Sequence, residues 1–139
     1  MRRAVGVGLR VALGGVFVFA ALSKLPDLRS FAEAVANYQL LPAKLVPAAA
    51  LAFCGVELAC GVALVVGLYT RAAATLAGAM LVVFIAALSQ ALVRGIDLRC
   101  GCFGGAELAT WGTVLRDVVL LGLAIATAWS QRATPAASR

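Results

Sequence analysis

Residues 46–68 read VPAAALAFCGVELACGVALVVGL, a stretch whose only charge is Glu57. About 20 apolar residues in helical form cross the hydrocarbon core of a bilayer. The stretch is apolar around its whole circumference, whereas a surface helix of a soluble protein carries one apolar stripe. Three more stretches of the same kind flank it: AVGVGLRVALGGVFVFAALS at 4–23, AAATLAGAMLVVFIAALSQALV at 72–93 and LATWGTVLRDVVLLGLAIATAWS at 108–130. The expected fold is an all-α integral membrane protein, a bundle of four transmembrane helices over residues 1–130 with a short disordered tail at 131–139. The first stretch also resembles a signal peptide, with Arg2-Arg3 ahead of an apolar run. Arg10 interrupts that run, and it is read as a retained helix.

Composition agrees. Of 139 residues, 63% are apolar and 13% charged, a balance that excludes a disordered chain or an ordinary soluble domain. The formal net charge is +6. The basic residues are scattered apart from Arg2-Arg3, so no stripe suits nucleic acid, and the charge is matched to anionic lipid head groups. Histidine is absent, which removes histidine-based catalysis.

Local signals mark the boundaries. Pro47 suits the first turn of span two, and Gly67 and Gly95 suit the ends of spans two and three. Trp111 and Trp129 bracket span four about 27 Å apart, the separation of two interfacial aromatic belts. Between spans one and two, Leu28, Phe31, Val35 and Tyr38 recur at helical spacing. A short amphipathic helix is expected there, capped by Ser30 and Glu33 and ended by Pro42.

Four spans put both termini on one side. Each side carries five basic residues outside the spans, so the positive-inside rule does not decide. Arg2, Arg3 and Arg10 precede the apolar centre of span one and favour cytoplasmic termini. The segment before span four then faces the extracytoplasmic side.

That segment carries the chemistry: Arg99-Cys100-Gly101-Cys102-Phe103-Gly104. A Cys-x-Cys pair must bend sharply for its sulfurs to meet, and Gly101 permits the bend. A disulfide across it is strained and comparatively oxidising. Arg99 and the N-terminus of span four favour the thiolate, most at Cys102. The alternatives are structural cysteines and a site for Cu(I), which accepts few soft ligands. No metal ligands are assigned. Cys54 and Cys60 lie inside span two, six positions apart, and cannot pair with each other on a regular helix. They read as apolar filler, with Cys54 the better placed of the two to act as a resolving thiol.

Charges within spans are costly and normally find partners inside the bundle. The spans hold Arg10, Glu57, Arg116 and Asp117. Glu57 and Arg116 are expected to pair, with Arg10 as the alternative partner. Together with Gln90 they are the candidates for the polar side of a quinone pocket.

Taken together, Lys24-Leu25-Pro26-Asp27, the segment Phe31 to Pro42, Glu57, Arg94-Gly95, Cys100-Gly101-Cys102-Phe103-Gly104 and Arg116-Asp117 resemble the MauE family of methylamine-utilisation membrane proteins, within the broader DoxX-like group. The likeness covers nearly the whole chain. It implies a four-helix membrane protein of redox-associated type. It further implies a role in maturing a disulfide-rich enzyme subunit with a thioredoxin-like partner. The function so expected is thiol–disulfide exchange by Cys100 and Cys102 with an extracytoplasmic thioredoxin-like protein or folding substrate, linked to a quinone. The competing readings are a non-catalytic assembly factor or anchor subunit for a redox partner, and a Cu(I)-handling protein.

Overall fold

The computed structural model describes residues 1–96 and 110–131. Among them the chain is helical, with no strand. Helix α1 spans Arg2–Lys24, a 3₁₀ turn covers Leu25–Asp27, and α2 spans Leu28–Asn37. Helices α3 (Val46–Val66), α4 (Thr70–Val93) and α5 (Trp111–Ser130) follow. Helices α1, α3, α4 and α5 are each long and apolar enough to cross a membrane. They close a ring in which α1 packs mainly on α3, α4 mainly on α5, and the two pairs meet through α3–α4 and α1–α5.

The core sets a few large side chains among small ones. Leu13, Phe17, Cys60, Leu64, Ala73, Ala74, Ala77, Leu81 and Ala124 are buried together. The outer surface is apolar: Phe19, Val66, Val83, Leu115 and Val119 all lie exposed. This reverses the pattern of a soluble bundle and suits helices whose backbone polar groups are satisfied internally and whose surroundings are lipid. Trp111 and Trp129 are exposed at opposite ends of α5, as interfacial anchors should be.

Close backbone approach holds α1 to α3. A Cβ built on Gly14 would lie 2.8 Å from the Gly61 carbonyl oxygen, and one built on Gly61 would lie 2.8 Å from the Val18 backbone nitrogen. Lipid gives no hydrophobic drive for helices to associate, so such contacts carry the packing. At the far end of α3, Gly67 takes the left-handed conformation at φ 91° and terminates the helix, as its position in the sequence suggests.

Three local expectations need correction. The cap of α2 is Asp27, not Ser30. Asp27 accepts from the Ser30 amide (3.1 Å) and the Ser30 hydroxyl (2.6 Å). These two bonds hold its carboxyl below the ordinary range. A carboxylate one turn earlier is the better acceptor for free N–H groups, and it complements the helix dipole. Glu33, meanwhile, pairs with Arg29 on the exposed face. Helix α2 ends at Asn37, ahead of Pro42, because Gln39 turns left-handed (φ 55°). Arg10 does not rise toward Glu57. Its guanidinium packs on Gly67, where a Cβ would lie 2.4 Å from Nη1. A cation there faces the carbonyl end of α3, which carries partial negative charge.

Candidate functional site

Helix α1 turns one face inward at Leu13, Phe17, Ala20, Ala21 and Lys24, all buried. The spacing of three and four carries that face to the last residue of the helix. Lys24 therefore points into the bundle and does not extend to the interface. It is only 2% exposed. Its Nζ donates to Oε2 of Glu57 at 2.7 Å. The ammonium also lies 5.2 Å from the centre of the Phe31 ring and 5.7 Å from that of Phe53. Rings at this range stabilise a cation through their electron-rich faces.

Helix α5 contributes a second pair. Arg116 donates through Nε (3.2 Å) and Nη2 (3.0 Å) to Oδ1 of Asp117. Asp117 is buried in the bundle, while about a third of the Arg116 side chain is exposed. The second carboxylate oxygen, Oδ2, is buried with no hydrogen-bond partner among the described residues.

Lys24, Glu57, Arg116 and Asp117 all line one cavity of about 40 Å³. All four spans reach it: Phe17 from α1, Phe53 from α3, Met80 and Phe84 from α4, and Leu120 from α5. Its four charges sum to zero, which limits the cost of holding them within the span. A cavity of this size takes a few waters but no six-membered ring.

The expected partnership of Glu57 with Arg116 gives way to two separate pairs, Glu57 with Lys24 and Arg116 with Asp117. The reason is register. Lys24 follows a Leu-Pro-Asp junction and reads as an interfacial cation, yet the buried face of α1 carries it inward. Glu57 and Arg116 do share the cavity, as the sequence suggests. Gln90 is absent from its lining. Sequence reasoning missed Lys24, and the signal that could have found it is the run Leu13, Phe17, Ala20, Lys24. Cys54 and Cys60 are both free thiols and buried. Cys54 packs with Phe31 and Ala50, a placement that suits filler and screens it from thiol exchange. Arg99, Cys100, Gly101 and Cys102 lie outside the described residues.

These features define a class: a small multi-pass membrane protein whose four-span bundle encloses two ion pairs. The chain belongs to the MauE family, since residues 2–130 match the family described as methylamine utilisation protein MauE. It is 42% identical over 123 residues to methylamine utilization protein MauE of Paracoccus denitrificans, a match covering 86% of this chain and 66% of that protein. The Paracoccus versutus protein of the same name is 36% identical over 123 residues, with the same coverage of 86% and 66%. That of Methylophilus methylotrophus is 38% identical over 88 residues, covering 63% of this chain and 46% of the relative. The chain thus spans just under two thirds of the length of the first two relatives. No solved structure matches it.

Proposed function

We propose that this chain is a membrane accessory protein of methylamine utilisation that works by thiol–disulfide exchange through Cys100 and Cys102. The observation that carries the reading is one of topology. Ile96 and Thr110, the described residues on either side of the cysteine segment, belong to the end of the bundle where α1 delivers Lys24 to the charged cavity. The family membership supports the methylamine context. In this reading the termini are cytoplasmic and the cysteines extracytoplasmic, where disulfides persist.

The exchange runs in two steps. A thiolate of a thioredoxin-like partner or folding substrate attacks the Cys102 sulfur. The Cys100–Cys102 bond breaks, a mixed disulfide forms, and Cys100 leaves as a thiolate that takes up a proton. The partner's second thiolate then attacks its own sulfur in the mixed disulfide and releases Cys102, so the partner leaves oxidised. Two electrons and two protons now reside on Cys100 and Cys102. Transfer of both to a membrane quinone yields a quinol and restores the disulfide.

The test is non-reducing electrophoresis of each cysteine variant from cells, beside a stability measurement in detergent. Cys100→Ser should accumulate a mixed disulfide, because exchange also runs in reverse: the Cys102 thiolate attacks the disulfide of an oxidised partner, one partner thiolate leaves, and no Cys100 thiol is present to resolve the product. Cys102→Ser should not, and neither variant should lose its fold. A membrane-impermeant maleimide should label the cysteines in intact cells after mild reduction. Normal exchange in both variants, or unfolding of both, would reject the catalytic reading in favour of an anchor with structural cysteines.

A further inference from the structure

The net charge of +6 belongs to one end of the bundle. By chain order, Asp27, Glu33, Asp97 and Glu107 fall in the connections at the other end, and Glu57 and Asp117 line the charged cavity. The end where α1 begins and α5 finishes has Arg2, Arg3, Arg10, Arg71, Arg132 and Arg139, and no Asp or Glu accompanies them. All but Arg10 stand in the first turn of a helix or past its last residue.

The depth of Arg10 is set by its neighbours. Gly6, one turn earlier, lies beside the end of α5, where a Cβ would be 3.6 Å from Oγ of Ser130. The Arg10 guanidinium itself packs on Gly67 at the end of α3. Side chains lean toward the N-terminus of their helix, so Arg10 reaches outward to the level at which α3 and α5 finish. Exposed Tyr69 and Trp129 mark that level as the head-group region. Arg10 makes no ion pair and no hydrogen bond among the described residues. Its Nε is enclosed, but Nη1 and Nη2 keep open surface. The carbonyl end of α3 supplies only about half a unit of negative charge. Lys24 and Arg116, by contrast, each have a carboxylate. Around the fork the surface is apolar, with Val7 and Val11 of α1 and Val66 and Leu68 on either side of Gly67 exposed.

We propose that Arg10 holds the phosphodiester of an anionic phospholipid through Nη1 and Nη2. A guanidinium offers two parallel N–H groups that match two phosphate oxygens, and a charge-assisted pair of this kind supplies the full counter-charge that α3 cannot. The exposed valines and Leu68 then meet the acyl chains, which a free phosphate ion lacks. Arg3 lies seven residues earlier on the same face of α1, and Arg71 follows the turn from α3 into α4. With no acid at this end, they repel the ammonium of a zwitterionic head group and favour an anionic one. The site is at the opposite end of the bundle from the cysteine segment and does not depend on thiol exchange.

Native mass spectrometry of the full chain, delipidated in detergent and titrated with phosphatidylglycerol or phosphatidylcholine, tests the site. The parent should bind one phosphatidylglycerol about tenfold more tightly than phosphatidylcholine, the worth of one charge-assisted contact. Arg10→Gln should abolish that preference. Arg10→Lys keeps the charge without the fork and should lose about threefold, and it serves if the glutamine variant fails to fold. Arg71→Gln removes the same charge from the same end and should lose less than about twofold. Equal losses at Arg10 and Arg71 would mean diffuse attraction to a charged surface and would overturn the proposal. So would an unchanged preference in either Arg10 variant. Millimolar inorganic phosphate should leave the lipid bound, and displacement would make this a site for the free ion and overturn the lipid assignment.

Discussion

Lys24→Ala and Glu57→Ala should each destabilise the bundle by roughly 3–5 kcal/mol, because each strands a buried charge whose partner has gone. The double variant should be more stable than either single one. Both side chains are almost fully enclosed, and the 2.7 Å bond between them joins the end of α1 to the middle of α3. Neither charge can recover hydration when the other is lost. Unfolding by a denaturing detergent in mixed micelles measures the effect, and the four proteins of the cycle give the coupling directly. Arg116→Ala, in contrast, should couple to Glu57→Ala much more weakly than Lys24→Ala does, since Arg116 bonds Asp117 and only shares the cavity with Glu57. Additive losses for Lys24 and Glu57, or strong coupling of Glu57 to Arg116, would mean that the pairs are assigned wrongly.

The second large effect is expected where α1 crosses α3. Gly61→Ala puts a methyl group 2.8 Å from the Val18 backbone nitrogen and 3.0 Å from the Gly14 carbonyl oxygen. Backbone atoms cannot turn aside as a side-chain tip can, so the helices must separate. Overpacking of this kind costs about 1–3 kcal/mol, against the roughly 0.5–1 kcal/mol by which alanine favours a helix over glycine. Gly61→Val should be worse. The control lies one and a half turns earlier on the same helix. A Cβ on Gly55 meets nothing within 4 Å, and Gly55→Ala should be neutral or stabilising. Thermal unfolding of the three variants in one detergent checks this, and equal effects at Gly55 and Gly61 would remove the crossing as the explanation.

The family was legible in the chain because its evidence is local. A run such as 46–68 is apolar on every side, and no fold but a buried or lipid-facing helix accommodates it. Pro47 and Gly67 mark the ends of α3 through their own backbone geometry, which needs no neighbour. The amphipathic spacing of Leu28, Phe31, Val35 and Tyr38 locates α2 for the same reason. Its cap lies three residues before the one its spacing suggests, because Asp27 and Ser30 are both good capping residues and only the path of the chain out of α1 selects between them.

The sequence alone determined that four helices cross a membrane, that charges such as Glu57 must find partners inside, and that Cys54 and Cys60 cannot join on one helix. All three follow from the period of a helix and the energy of a charge or a peptide group in hydrocarbon. Which charges meet was decided by the tertiary structure. The sequence offers Glu57 two cations, Arg116 and Arg10, and passes over Lys24 because it stands at the edge of its span. The rotation of α1, fixed by the contact of Gly14 with Gly61, aims Lys24 at Glu57 and leaves Arg10 against Gly67. A run of ring contacts, Phe31 to Phe53, Phe53 to Phe84 and Phe84 to Tyr38, has the same origin. Phe31, Tyr38, Phe53 and Phe84 come from three helices, and their rings form one wall only because α2 folds back on α3 beside α4. A rotation about a helix axis changes no residue's hydropathy, yet it decides every contact that residue makes.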